Sequence, residues 1–427
     1  MITPTQTTPV SQAADSRESQ ARIPVVRSPS VVSFNQVPFS KPLLGDREVN
    51  AVSRALRSGW ITQGPLVEQF EASVARYVGG GHGVATCNAT AALHLAMHVL
   101  GIGPGDEVVV PSFTFIATAN AVAHCGATPV FADVDAATFN IDPDSLSSVV
   151  TKRTKVVVVV HQFGLPADLE RLSEVAASHG LMLIEDAACA LGSRYDVKRI
   201  GGHSPMVCFS FHPRKVVTTG EGGMIVTRDR SLAERLRRLR HHGMDRSDWQ
   251  RHRAPSFERE SYSEIGFNYR MSDVAAAVGL AQMERIDTIV AARRRLARIY
   301  DHAFSEVKCI RLATCQGRAV SNAQSYAICL ADDAPILRDA LVSRLRARGI
   351  AAKAGPRAIH MEPCYRDRSD HADLPQSRRL SDSMILLPLF PTLSDDQQKQ
   401  VVEAVLESLG RAPARAASRS AIGTLGA

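Results

Sequence analysis

Short runs of β-branched and apolar residues recur along this chain, each separated from the next by a stretch of helical periodicity. The strand candidates span 107–110, 128–134, 155–161, 181–186, 206–211 and 224–227, and the helix candidates lie near 90–100, 115–125, 167–179 and 231–241. A strand that is apolar on both faces must be covered on both faces. The alternation therefore specifies an α/β fold whose mainly parallel sheet is flanked by helices. In such sheets ligands collect at the carboxyl ends of the strands.

Later in the chain the pattern changes. Ser272 is an N-cap candidate for a long helix running toward Phe304, and amphipathic segments follow at 337–349 and 394–409. The 427 residues thus divide into a large domain at 41–295 and a smaller α+β C-terminal domain at 296–410. Residues 1–40, rich in Ser, Thr, Pro and Gln, read as a disordered N-terminal arm, and 411–427 as a disordered tail. There is no internal repeat. No run of about 18 apolar residues is present, and residues 1–40 hold no signal-peptide core. The expectation is a cytoplasmic protein without a membrane partner. The eight cysteines include no Cys-x-x-Cys pair, which argues against a metal site or a disulfide framework; most are expected to be buried reduced thiols.

The net charge of +7 invites a nucleic-acid reading, but its distribution argues otherwise. Residues 228–253 carry nine Arg against four acids, and 411–427 carry three Arg and no acid. The rest of the chain is slightly acidic. The spacing of Leu232, Leu236 and Leu239 fits a helix with a solvated basic face, so no nucleic-acid partner is expected.

Five stretches carry chemistry. In Cys208-Phe-Ser-Phe-His-Pro-Arg-Lys215, followed by Gly220, Gly222 and Gly223, a lysine stands just after a buried strand. A lysine so placed can form a Schiff base when its surroundings favour the free amine; a surface lysine before a glycine turn reads equally well from this stretch alone. Glu185 and Asp186 end an apolar strand, and Ala187, Ala188 and Cys189 follow. A carboxylate there can hold a protonated pyridine nitrogen, as pyridoxal phosphate (PLP) requires, or can simply cap the next helix. Asn88, Ala89 and Thr90 open a helix whose exposed amides suit a phosphate, and ordinary capping by Asn88 is the alternative. Phe115 follows a strand and can stack on a planar ring or join the core. Asn268, Tyr269 and Arg270 offer an amide, a phenol and a guanidinium before the Ser272 helix.

Taken together, these motifs resemble the DegT/StrS-type family of PLP-dependent nucleotide-sugar aminotransferases. The resemblance runs from about Lys41 to Leu409 and includes Ser58-Gly-Trp-Ile-Thr62, His161-Gln-Phe-Gly and Leu387-Pro-Leu-Phe-Pro391. It implies the aspartate aminotransferase-like fold, with a seven-stranded sheet. It also implies that Lys215 carries PLP as a Schiff base and shuttles the proton, while Asp186 holds the pyridinium nitrogen. Phe115 and Ala188 would face the ring; Ala89, Thr90 and Ser210 would bind the phosphate. Asn268 would reach it from the partner subunit of a homodimer with shared active sites. Thr62, Tyr269 and His360 would contact substrate. The implied partners are a nucleotide-linked keto sugar and an amino donor, L-glutamate. A keto-cyclitol acceptor is the alternative, and a non-enzymatic regulator a remoter one. Three positions depart from the family's pattern. Asn88-Ala89-Thr90 replaces Ser-Gly-Thr, Cys189 stands where a Gln is frequent, and Arg214 replaces a small polar residue. The presence of Lys215 argues against the deoxygenating branch, which has His there.

Overall fold

The structure, a computed structural model, describes residues 37–255, 259–314, 317–366 and 373–411. Its main sheet has seven strands in the order His82–Thr86, Gly223–Thr227, Met206–Ser210, Met182–Asp186, Thr154–Val160, Glu107–Pro111, Thr128–Ala132. Only Gly223–Thr227 runs antiparallel to its neighbours. The other pairings are parallel. The central strands are buried along nearly their whole length, as both-faced apolar runs require. Two apolar clusters cover the faces, split by the period-2 alternation of side chains. Val157, Val159 and Leu183 join one, and Val156, Val158 and Ile184 the other.

A four-stranded antiparallel sheet, ordered Ile310–Leu312, Tyr326–Leu330, Met384–Leu387, Lys353–Ala354, packs with the Arg338–Ala347 and Asp395–Ser408 helices around a third cluster. The long helix expected from Ser272 to Phe304 is instead two helices, Asp273–Met283 and Ile286–Phe304. Ser272 does cap the first, its Oγ accepting from the Ala275 amide at 3.2 Å. The break falls at Arg285, which leaves helical geometry (φ −127°, ψ 18°) and whose guanidinium is held by the Glu48 carboxylate and the Leu43 carbonyl. The second helix is continuous across residues 295 and 296: Ile286, Ile289 and Val290 pack in the first cluster, Leu296, Tyr300 and Phe304 in the third.

Most of residues 1–40 and 411–427 lie outside the described residues. Those of the arm that are described are packed: Val37 is fully buried and bridges Ile350 in parallel fashion. The basic stretch is less solvated than its composition suggests. Arg240 is buried against Glu71, Arg237 lies 3.6 Å from the same carboxylate, and Arg235 pairs with Glu264 at 2.9 Å. The expectation of mostly buried thiols also fails. Among the described residues only Cys208 and Cys329 are buried; Cys87, Cys125, Cys189 and Cys309, at element ends, are partly buried, and Cys364 is exposed. No described helix is long and apolar enough to cross a membrane.

Candidate active site

A cavity of about 680 Å³ opens at the carboxyl edge of the main sheet. Nine of the thirteen residues singled out from the sequence line it: Asn88, Ala89, Thr90, Phe115, Asp186, Ala188, Cys189, Ser210 and Lys215. The topology explains why. Asp186 and Ser210 end their strands, and Asn88, Phe115 and Lys215 follow theirs by two to five residues.

On one side lies the N-terminus of the Ala89–Val99 helix. Asn88 caps it, its side-chain oxygen accepting from the Ala91 amide at 2.8 Å. The amides of Ala89 and Thr90 have no acceptor within the helix and are available to an anion. Gly223 lets this terminus approach the sheet. A Cβ built there would lie 2.4 Å from the Asn88 carbonyl and 2.7 Å from the Ala89 nitrogen.

Asp186 forms the floor. Its carboxylate is buried and accepts from Thr118 Oγ1 at 2.9 Å and from the Ala188 amide at 3.1 Å. Burial pushes its pKa up, against the opposing pull of these two bonds, of Lys215 and of His161. A positive charge brought to the floor would reverse that shift. Glu185, the other half of the acidic pair, faces away from the cavity, as strand alternation requires. It meets His161 Nε2 at 2.7 Å, and His161 Nδ1 accepts from the Ala167 amide at 3.1 Å, which assigns the proton to Nε2. Burial raises the Glu185 pKa, but His161 and its neighbours draw it below the usual carboxylate range.

Lys215 reaches the same space. Its Nζ donates to Cys189 Sγ at 3.1 Å. The Cys189 turn is fixed from a distance: Asn322 Nδ2 donates to the Cys189 and Leu191 carbonyls at 2.9 and 2.8 Å. Phe115 is 73% exposed at the rim, which leaves its face open to a planar ligand.

Four residues from the sequence reading do not line this cavity. Thr62 is exposed and accepts from the Asp273 amide through its carbonyl at 3.0 Å. Asn268 is exposed and bridges His241. Tyr269 turns beneath the Ala89–Val99 helix, its hydroxyl 3.2 Å from His94 Nδ1 and its ring stacked on Phe267. His360 is buried with Nδ1 2.6 Å from Ser112 Oγ. Conversely, the cavity includes Phe39, Glu221, Gln324 and Lys353, which no motif named, and Gln162, Phe163 and His212, which lie within quoted motifs but were given no role. Phe163 carried one conformational mark, a φ of 55° that a non-glycine residue seldom adopts.

These features fit PLP: an amide cradle for phosphate, a buried acid for a ring nitrogen, a lysine amine beside them and an open aromatic face. With the sheet order, they define a PLP-dependent aminotransferase of the aspartate aminotransferase-like fold. The comparisons make this more specific. The DegT/DnrJ/EryC1/StrS aminotransferase family model matches residues 42–406. The spore coat polysaccharide biosynthesis protein SpsC of Bacillus subtilis is 38% identical over 373 residues, 86% of this chain and 96% of that protein. The aminotransferase TlmJ from Streptoalloteichus hindustanus superposes with a TM-score of 0.81 at 35% identity, covering 88% of this chain and 99% of that one. DesV from S. venezuelae, crystallised with a ketimine intermediate, gives 0.79 at 34% identity over 88% and 99% of the two chains. The chain belongs to the DegT/DnrJ/EryC1/StrS family and is a PLP-dependent sugar aminotransferase.

Proposed function

We propose that the enzyme moves an amino group from L-glutamate to a keto sugar carried on a nucleotide, with Lys215 as the residue that binds the cofactor covalently. The observation that supports this most directly is the convergence of Lys215 Nζ, the Asp186 carboxylate and the amides of Ala89 and Thr90 on one cavity. When bound, PLP supplies an electrophilic carbonyl and a conjugated ring that accepts electron pairs. The chain supplies the rest. The Ala89 and Thr90 amides, with the Ser210 and Thr90 hydroxyls, hold the phosphate. The Asp186 carboxylate keeps a proton on the ring nitrogen, and the Thr118 hydroxyl and Ala188 amide hold that carboxylate in line. Phe115 and Ala188, both on the cavity wall, would face the ring. The free Lys215 amine would take a proton from the α-carbon of the amino donor at Nζ and return it to the cofactor carbon on the far side of the shared nitrogen. The steps run in reverse when the keto acceptor replaces the keto-acid product. Asn268, exposed in a single chain, is assigned to the phosphate of a partner subunit in a homodimer, and Thr62, Tyr269 and His360 to substrate.

The test is to load the protein with PLP, record the absorbance of the lysine adduct, and analyse products by mass spectrometry with glutamate and a panel of 3-keto and 4-keto nucleotide sugars. Wild type should form the adduct and transfer nitrogen to one acceptor; Lys215→Ala should do neither. Turnover by the Lys215→Ala variant at the wild-type rate would defeat the assignment. Amination of a keto-cyclitol alone would replace the acceptor.

A further inference from the structure

The cavity holds more positive charge than the Lys215 centre uses. Arg214, just before Lys215, and Lys353, on the short strand Lys353–Ala354, both line it. The two head groups share one aromatic ring: Arg214 Cζ lies 5.8 Å and Lys353 Nζ 4.9 Å from the centroid of Phe39. The Phe39 backbone is tied to the neighbouring segment, its carbonyl accepting from the Leu389 amide at 3.4 Å. The Arg214 backbone is likewise fixed by Gln324 Nε2, which donates to its carbonyl at 3.1 Å. Cation–π attraction accounts for each group singly, but not for two like charges on one ring.

Among the described residues, no carboxylate pairs with either head group. Lys353 is pushed below its ordinary pKa by burial, by Arg214 and by Arg346 from the neighbouring helix. His212, on the same rim, is lowered by burial; Glu221 opposes this, while Lys215, Arg214 and Lys353 add to it. Glu221 is the single exposed carboxylate on this cavity, and Asp186 is at the floor. The phosphate cradle at Ala89 and Thr90 is uncharged backbone on other elements, so it does not use these cations.

We propose that Arg214 and Lys353, held over Phe39, form a second anion subsite that grips the anionic oxygens of a substrate, either the carboxylate of the amino donor or the diphosphate of a nucleotide-linked acceptor. The identity of that substrate rests on the function proposed above; the subsite itself rests on the geometry. A planar guanidinium and a mobile ammonium together suit either group.

The test uses PLP-loaded protein, in which the phosphate cradle is already filled. Glutarate and inorganic pyrophosphate are titrated calorimetrically into wild type, Arg214→Gln, Lys353→Gln, the double variant and the charge-keeping Lys353→Arg. Lysine-adduct absorbance is checked first to confirm equal cofactor loading. Wild type should bind at least one probe. Each single variant should weaken it about tenfold and the double variant more, while Lys353→Arg stays within about threefold. Weakening confined to glutarate assigns the donor carboxylate; weakening confined to pyrophosphate assigns the acceptor diphosphate. Equal affinity of the wild type and the double variant, or no binding of either probe by the wild type, would overturn the subsite. If probe binding depends on both cations but no amino transfer occurs with any acceptor, the subsite stands and the proposed reaction falls.

Discussion

Replacing Gly223 with Ala would put a Cβ 2.4 Å from the Asn88 carbonyl atoms and 2.7 Å from the Ala89 nitrogen, where ordinary contact begins at 3.4 Å. All three are backbone atoms of a helix terminus and cannot swing aside as a side chain would. Relief requires the helix start and the strand to separate by about 1 Å, an overpacking that typically costs about 1–3 kcal/mol. The same shift carries the Ala89 and Thr90 amides away from a phosphate held over the sheet, stretching bonds of about 2.9 Å out of hydrogen-bonding range. Losing one such charge-assisted bond, at about 1.5–3 kcal/mol, weakens PLP binding roughly tenfold to hundredfold. The assay is a PLP titration followed by lysine-adduct absorbance, with pyridoxal, which lacks the phosphate, run in parallel. Gly223→Ala should weaken PLP by at least about tenfold yet change pyridoxal by less than about threefold, narrowing the preference between them. Equal losses for both ligands would refute the cradle argument, as would a PLP affinity within about twofold of wild type.

Three further outcomes are expected. Because burial raises the Asp186 pKa, its ionisation opposes folding of the cofactor-free protein as pH climbs from about 4 through the raised value. Asp186→Asn should therefore melt no lower than wild type at neutral pH without cofactor, lose any advantage near pH 4, and bind PLP at least about tenfold more weakly. A clear loss of cofactor-free stability at neutral pH would contradict this. His94 and His241 are held down to about 4, chiefly by burial. Both should stay neutral to well below their ordinary pKa, and stability should fall as pH drops from about 6.5 toward 4, as read by NMR titration and thermal melts. Finally, Cys189, 3.1 Å from Lys215 Nζ on the cavity wall, should be alkylated by iodoacetamide in cofactor-free protein and protected once PLP is loaded. Peptide mass spectrometry of the Cys189 fragment reads this directly.

What was legible in the sequence was local. The both-faced apolar runs require a covered, mainly parallel sheet. A functional residue within a few positions of a strand's carboxyl end is carried to one edge by that sheet, whichever helices connect the strands. Lys215, Asp186, Ser210 and the Asn88–Thr90 turn all meet this condition, and all line one cavity. The Ser272 cap was legible for the same reason, since it depends on an amide three residues away. The helix break at Arg285 was not, because no local residue marks it and the partner of Arg285 there, Glu48, lies more than two hundred residues earlier.

Side-chain destinations required the tertiary structure. The acidic pair reads as two equivalent carboxylates, and only the pleat sends Asp186 to the cavity and Glu185 to His161. The arginine-rich stretch reads as a solvated face, and only folding brings Glu71 and Glu264 against it. Phe39, Gln324 and Lys353 reach the rim from segments with no local signature, and Asn322 fixes the Cys189 turn from 133 residues away. The sequence by itself determined the sheet and the residues at its functional edge, because period and strand-end position are short-range properties. The tertiary structure alone decided which charges are paired, which are left facing the cavity and what shares the Phe39 ring, because electrostatic pairing depends on distance in space, which the order of residues along the chain does not encode.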